Sequence, residues 1–192
     1  MTVTFFFDPS CPWTWVTSRW LQATAAREHF DVEWRSFSLP YEHEDREHPD
    51  VVAAHRVIEA LRRTGDNDGV KRFYDALGRR WYDEGEAHTT DVVRVAMHDA
   101  GLDSFTPALH DESLDAGVAA STEQAMALAG PDIGSPVLEL EDGRSLFGPI
   151  LHAVPDDEGC ARVWEAVLLL AGVPEYHELK RGRRRQPDTK AS

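Results

Sequence analysis

A cysteine stands near the start of this chain, in the stretch FFFDPSCPWTWV at residues 5–16. Cys11 follows an apolar run that ends at Asp8, and Pro12, Trp13 and Thr14 come directly after it. If a helix begins here, its first N–H groups are unpaired and its end carries partial positive charge. Both favour a thiolate over a thiol. The expectation is a nucleophilic sulfur titrating below the ordinary cysteine value of about 8.5. Pro12 costs no hydrogen bond in a first helical turn and fixes the chain direction. Trp13 offers a flat apolar face beside the sulfur, where an aromatic or thiol-bearing substrate could lie. Thr14 occupies the position at which a dithiol motif would carry its second cysteine. A dithiol enzyme releases its mixed disulfide by internal attack, and a hydroxyl cannot do this. Monothiol chemistry survives: Cys11 joins a small thiol in a mixed disulfide that a second thiol from solution resolves. Thr14 can instead donate a hydrogen bond to the Cys11 thiolate. The plainer reading makes Cys11 a small packed residue and Trp13 part of a core.

Other residues with chemical potential read more simply. Cys160 falls among Val163, Trp164 and Val167 at helical spacing and is a core residue without a catalytic role. Two cysteines do not make a disulfide framework. His43 and His48 sit in the polar run YEHEDREHPD without tetrahedral ligand spacing, so a solvated loop is expected and no metal. TGDNDGVKRFYD at 64–75 imitates part of a calcium loop, but Thr64 replaces its first carboxylate and Lys71 its apolar position. A helix start fits better.

These residues need elements to position them. TVTFFF at 2–7 is β-branched then aromatic and predicts a buried strand, closed by the turn residues DPSCP. Val16, Trp20, Leu21 and Ala25 recur every three to four residues and predict a helix over 13–29, with Cys11 at its N-terminus. FDVEWRSFSL at 30–39 predicts a second strand, parallel to the first across that helix. Four or five helices follow, over 51–63, 69–85, 90–101 and 116–130. SPVLELEDGRSLFG then predicts two short strands around an Asp-Gly turn. Residues 156–171 predict a last helix, acidic at its start and closed before Gly172 and Pro174. The order is βαβ, a helical insertion, then ββα.

That order, with its motifs, resembles the DsbA-like thioredoxin superfamily over nearly the whole chain. Within it the sequence looks most like the mycothiol-dependent reductases and nitroreductases, which share an opening FDP-x-CPW-x-W-x-TSRW; here it reads FDPSCPWTWVTSRW. IGSP at 133–136, LFGPIL at 146–151 and ELKRGR at 178–183 extend the resemblance. It implies an α/β thioredoxin fold with an inserted all-helical domain. Residues 1–40 and 131–175 would form the thioredoxin-like part, 41–130 the insertion, and 176–192 a polar basic tail. It also implies a cis Ser135–Pro136 bond facing Cys11, with backbone groups that pair with an extended thiol substrate. Cys11 and Thr14 are thus the catalytic candidates, and Pro12, Trp13, His43, Ser135 and Pro136 the substrate-binding ones. His43 stands where the family commonly carries asparagine. The implied activity is thiol-dependent oxidoreduction with no bound cofactor, a low-molecular-weight thiol, mycothiol by resemblance, serving as co-substrate. The alternatives are a thioredoxin-fold module that binds a ligand or protein segment without turnover, and an isomerase similar to the kappa-class transferases, whose site more usually carries serine.

The whole chain is consistent with that class. Its 192 residues are 42% hydrophobic and 28% charged, as a globular protein requires. A net charge of −14 argues against a nucleic-acid surface. No apolar run approaches the roughly 18 residues of a membrane span, and no export signal opens the chain, so the cytoplasm is expected. The basic residues of 180–190 run against the acidic body and predict a solvated, partly mobile tail.

Overall fold

The computed structural model describes residues 1–42 and 48–190. Among them, a sheet in the order β2-β1-β3-β4 is formed by β1 (Thr2–Phe7), β2 (Asp31–Ser36), β3 (Val137–Glu139) and β4 (Ser145–Phe147). β1 pairs parallel to β2 and antiparallel to β3, and β4 closes the hairpin with β3. β1 is central, which explains why TVTFFF carries apolar side chains toward both faces rather than alternating with polar ones. Phe5 and Phe7 enter the larger core, while Phe6 faces a smaller cluster with Phe37, Ala125 and Val137.

Helix α1 (Pro12–Glu28) links the parallel strands. It ends at His29, which takes the left-handed conformation at φ 57°. β2 stops before its predicted end: Phe37 still donates to the Phe7 carbonyl at 2.8 Å, but the next N–H, of Ser38, turns away to Thr122 Oγ1 at 3.0 Å. A short helix α2 (Leu39–Glu42) follows.

The insertion contributes α3 (Pro49–Arg63), α4 (Asn67–Gly78) and α5 (Thr90–Asp99). Asp66 caps α4 by accepting from Gly69 N–H at 2.8 Å, the helix start that the calcium-like stretch was expected to be. The predicted continuous helix over 69–85 instead passes at Gly78 into a π-helical turn, Arg79–Asp83. Between α5 and the next helix lie two 3-10 segments, Asp103–His110 and Glu112–Leu114. α6 (Asp115–Ala129) lays Ala125 and Met126 on the Phe6 side of the sheet. α7 (Asp157–Ala171) is capped by Asp156 and packs Cys160, Trp164 and Val167 into the larger core. None of the described helices is long and apolar enough to cross a membrane.

Candidate active site

The site begins where β1 runs out. Asp8 is fully buried. Its Oδ1 accepts from Ser10 N–H at 2.7 Å and Ser10 hydroxyl at 2.6 Å, folding the DPS turn over the carboxylate. Its Oδ2 accepts from Leu39 N–H at 2.7 Å and lies 3.3 Å from His55 Nε2, whose Nδ1 lies 3.1 Å from Ser36 Oγ. The turn is completed by Cys11 N–H donating to the Asp8 carbonyl at 3.2 Å. Cys11 is thereby set as the N-cap of α1, in extended conformation and half-buried, with Pro12 in the first turn.

Ser135 closes the far side. Its Oγ accepts from Asp8 N–H at 2.8 Å and shares a second hydrogen bond with Thr14 Oγ1 at 2.8 Å. The Ser135–Pro136 peptide is cis, as is Gly148–Pro149. Cys11, Pro12, Trp13, Thr14, Ser135 and Pro136 are therefore gathered in one place, with Thr14 buried between the cysteine and the serine. His43 lies outside the described residues.

The charge state of Cys11 departs from the sequence expectation. Burial first, and the neighbouring Asp8 carboxylate with it, push its thiol above the usual cysteine value. The Thr14 hydroxyl and N–H and the Trp13 N–H pull the other way, as a helix start should. They do not prevail, because the sulfur is withdrawn from water and the closest buried charge is negative. The predicted depressed thiol is thus corrected: the resting form is the thiol. Asp8 itself is held below the ordinary carboxylate range. Burial would raise it, but the charge and hydrogen bond of His55, Ser10 and the Leu39 N–H together outweigh that.

The insertion supplies an aromatic wall that sequence reasoning did not assign. Trp15 stacks on Tyr82 at 5.8 Å and meets Tyr74 edge-on at 5.4 Å. Tyr82 Oη donates to the Pro9 carbonyl at 2.8 Å, pinning the π-helical turn to the DPS turn. His88 stacks on Trp81 at 4.1 Å, and burial lowers its pKa. Burial, with Cys11 and Asp8 near, holds both tyrosine phenols well above their usual range and so protonated. The one signal in the sequence is the apolar face of α3, on which His55 interrupts a run of buried residues. A histidine there needs a buried partner.

Two other expectations meet the structure here. Trp20 is fully buried, its Nε1 donating to the Cys160 carbonyl at 3.3 Å, as a core residue. Cys160 Sγ contacts the Pro155 carbonyl at 3.3 Å, and burial with Asp157 and Asp156 raises its thiol. Because Cys160 sits beside the second half of α1, the helix rise separates it from Cys11 by on the order of 15 Å, beyond disulfide reach. The tail is largely exposed, as a solvated segment is, yet it makes specific contacts with the body. Residues 172–190 return to the first turn of α1, where Thr189 carbonyl accepts from Trp15 Nε1 at 3.2 Å and the Arg183 guanidinium lies 4.9 Å over the Trp13 ring. The aromatic donors and faces of α1 give the polar segment partners that composition alone did not reveal.

A family model described as Rv2466c-like, mycothiol-dependent nitroreductase Rv2466c, matches residues 10–181. The uncharacterized protein Rv2286c of Mycobacterium tuberculosis (strain ATCC 25618 / H37Rv) is 32% identical across 94% of this chain and 81% of its own length. Among solved structures, the probable DsbA oxidoreductase SCO1869 from Streptomyces coelicolor aligns with a TM-score of 0.63 at 20% identity, over 96% of this chain and 94% of that one. The cytosolic disulfide reductase DsbM from Pseudomonas aeruginosa, solved with GSH, aligns with a TM-score of 0.57 at 20% identity, over 88% and 100%. At that identity the likeness establishes the fold, a DsbA-like thioredoxin fold with a helical insertion.

Proposed function

Because the chain belongs to the Rv2466c-like family of mycothiol-dependent nitroreductases, we propose that it is a thiol-dependent reductase whose sulfur chemistry rests on Cys11 alone. The observation that carries this reading is Thr14, buried and hydrogen-bonded to Ser135 at 2.8 Å where a resolving cysteine would stand. In the proposed step, Cys11 gives its proton to solvent and attacks a disulfide. A new sulfur–sulfur bond forms to Cys11, the substrate bond breaks, and one sulfur leaves as thiolate with the electron pair. A second small thiol, mycothiol by the family, then attacks the transferred sulfur of the adduct and leaves joined to it as a disulfide, symmetric when the transferred group is the same thiol, while Cys11 departs as thiolate and takes a proton from solvent. Thr14 and the first N–H groups of α1 stabilise the sulfur anion as it forms. Pro12, Trp13, Ser135, Pro136 and His43 are the proposed substrate contacts, and a reducing cytoplasm is the compartment that would keep the cycle supplied.

Incubating the protein with an oxidised small thiol should add one thiol mass per chain, located on Cys11 and removed by external thiol. Loss of the adduct without external thiol, with a Cys11–Cys160 disulfide in its place, would refute the monothiol cycle.

The raised Cys11 thiol favours a second reading, a binding module that holds a small thiol without turnover. It predicts binding with no adduct at any pH between 7 and about 9.

A further inference from the structure

The returning C-terminal segment is more than a cover. Its path is fixed at three points: Arg183 over Trp13 at 4.9 Å, Asp188 N–H on the His152 carbonyl at 2.5 Å, and Thr189 carbonyl on Trp15 Nε1 at 3.2 Å. It carries Lys180, Arg181, Arg183, Arg184, Arg185 and Lys190. Among the described residues only Lys180 of these pairs with a carboxylate, Glu178 at 4.0 Å. A chain of net charge −14 thus places an uncompensated positive charge, on Arg183, over the tryptophan two residues from Cys11. The buried Asp8 carboxylate behind Cys11 would repel an arriving anion, and this segment opposes it.

A guanidinium over an indole keeps N–H groups available for a carboxylate, sulfonate or phosphate. The groups that set the Cys11 thiol are Thr14, Trp13 and Asp8, and Arg183 is not among them. We propose that Arg183 is a specificity-determining residue that selects an anionic substrate for attack by Cys11, receiving the anion on the guanidinium while Trp13 receives the apolar part. This rests on Cys11 being the nucleophile.

The test uses the full chain carrying Cys160→Ser and two aromatic disulfide probes, the dianionic dithiobis(nitrobenzoate) and the neutral dithiodipyridine. Each reacts by transferring one aryl thiol to Cys11 and releasing the other, as nitrothiobenzoate or as thiopyridone, each followed at its own absorbance. The ratio of the two rates isolates charge selection from the reactivity of the sulfur. Arg183→Gln should lower the anionic-to-neutral ratio by about fivefold, the scale of one exposed charge pair, and Arg183→Lys should recover part of it. Raising salt from about 0.02 to about 0.5 M should lower the ratio in the parent and leave the Gln variant nearly flat. An unchanged ratio in Arg183→Gln, or an equal acceleration of both probes as from an opened cover, overturns the proposal. Failure of the underlying reading looks different: neither probe labels the chain, or, with Cys160 retained, Cys11→Ser is labelled as fast as wild type.

Discussion

Two influences oppose each other on the Cys11 sulfur. The start of α1 and Thr14 offer it donors, while burial and Asp8 disfavour its anion, and the second pair prevails. In the Cys160→Ser background, alkylation at pH 7 should therefore be slower than for a free thiol. The rate should still be climbing where an ordinary cysteine, at about 8.5, has levelled off. A fast plateau reached below that value would contradict the geometry. Asp8→Asn removes the negative charge at constant size, so the variant should alkylate faster than its parent at pH 7; an equal or slower rate would show that burial alone governs the thiol. The donors were legible from FDPSCPWT because they lie within one helical turn of the cysteine. The opposing charge was not, because what holds Asp8 ionised comes largely from residues 31 and 47 positions away, Leu39 and His55.

Most helices and strands with clear periodicity were legible to within a residue or two, since each buries one continuous apolar face, although β2 ends three residues short. Two departures have physical causes that a local pattern does not carry. The 3-10 segment Asp103–His110 contains Pro107, which removes a backbone donor and breaks the helical spacing. At Gly78, the last residue of α4, a Cβ would collide with the six-membered ring of Trp15. The bare backbone lets that ring approach, and the chain then passes into the π-helical turn that brings Trp81 and Tyr82 to the site. Gly78→Ala should cost about 1–3 kcal/mol in urea unfolding, as overpacking does, despite alanine's better helix propensity. It should also displace Tyr82 from Trp15, detectable in near-ultraviolet circular dichroism. A variant as stable as wild type with an unchanged aromatic spectrum would show that the contact is loose.

At the scale of the molecule, one of the buried links between the sheet and the helical insertion is a charged pair. Asp8 at the end of β1 meets His55 in the middle of α3, and His55 in turn reaches Ser36 at the end of β2. Removing one partner leaves the other buried and uncompensated, so His55→Ala should destabilise the protein by about 3–5 kcal/mol. The same pair sets an acid limb. The Asp8 carboxyl is held below its ordinary value of 3.8 in the folded chain. As pH falls, the unfolded chain takes up that proton first. The stability Asp8 contributes is therefore complete above the unfolded value and is lost as pH falls through the folded one. Thermal midpoints measured from neutral pH downward should drop through that window in wild type and drop less steeply in Asp8→Asn, which has no such proton to bind. The two probes of melting, far-ultraviolet signal for the helices and near-ultraviolet signal for the Phe7, Trp15 and Tyr74 cluster, should fall together in wild type, because the pair couples the two parts. If Asp8→Asn keeps the full acid slope, the carboxylate is not the group that acid titrates. In that case the link between sheet and insertion must be carried by Asn67, whose side chain accepts from Trp34 N–H at 2.9 Å and donates to the Val32 carbonyl at 2.8 Å, and by apolar packing.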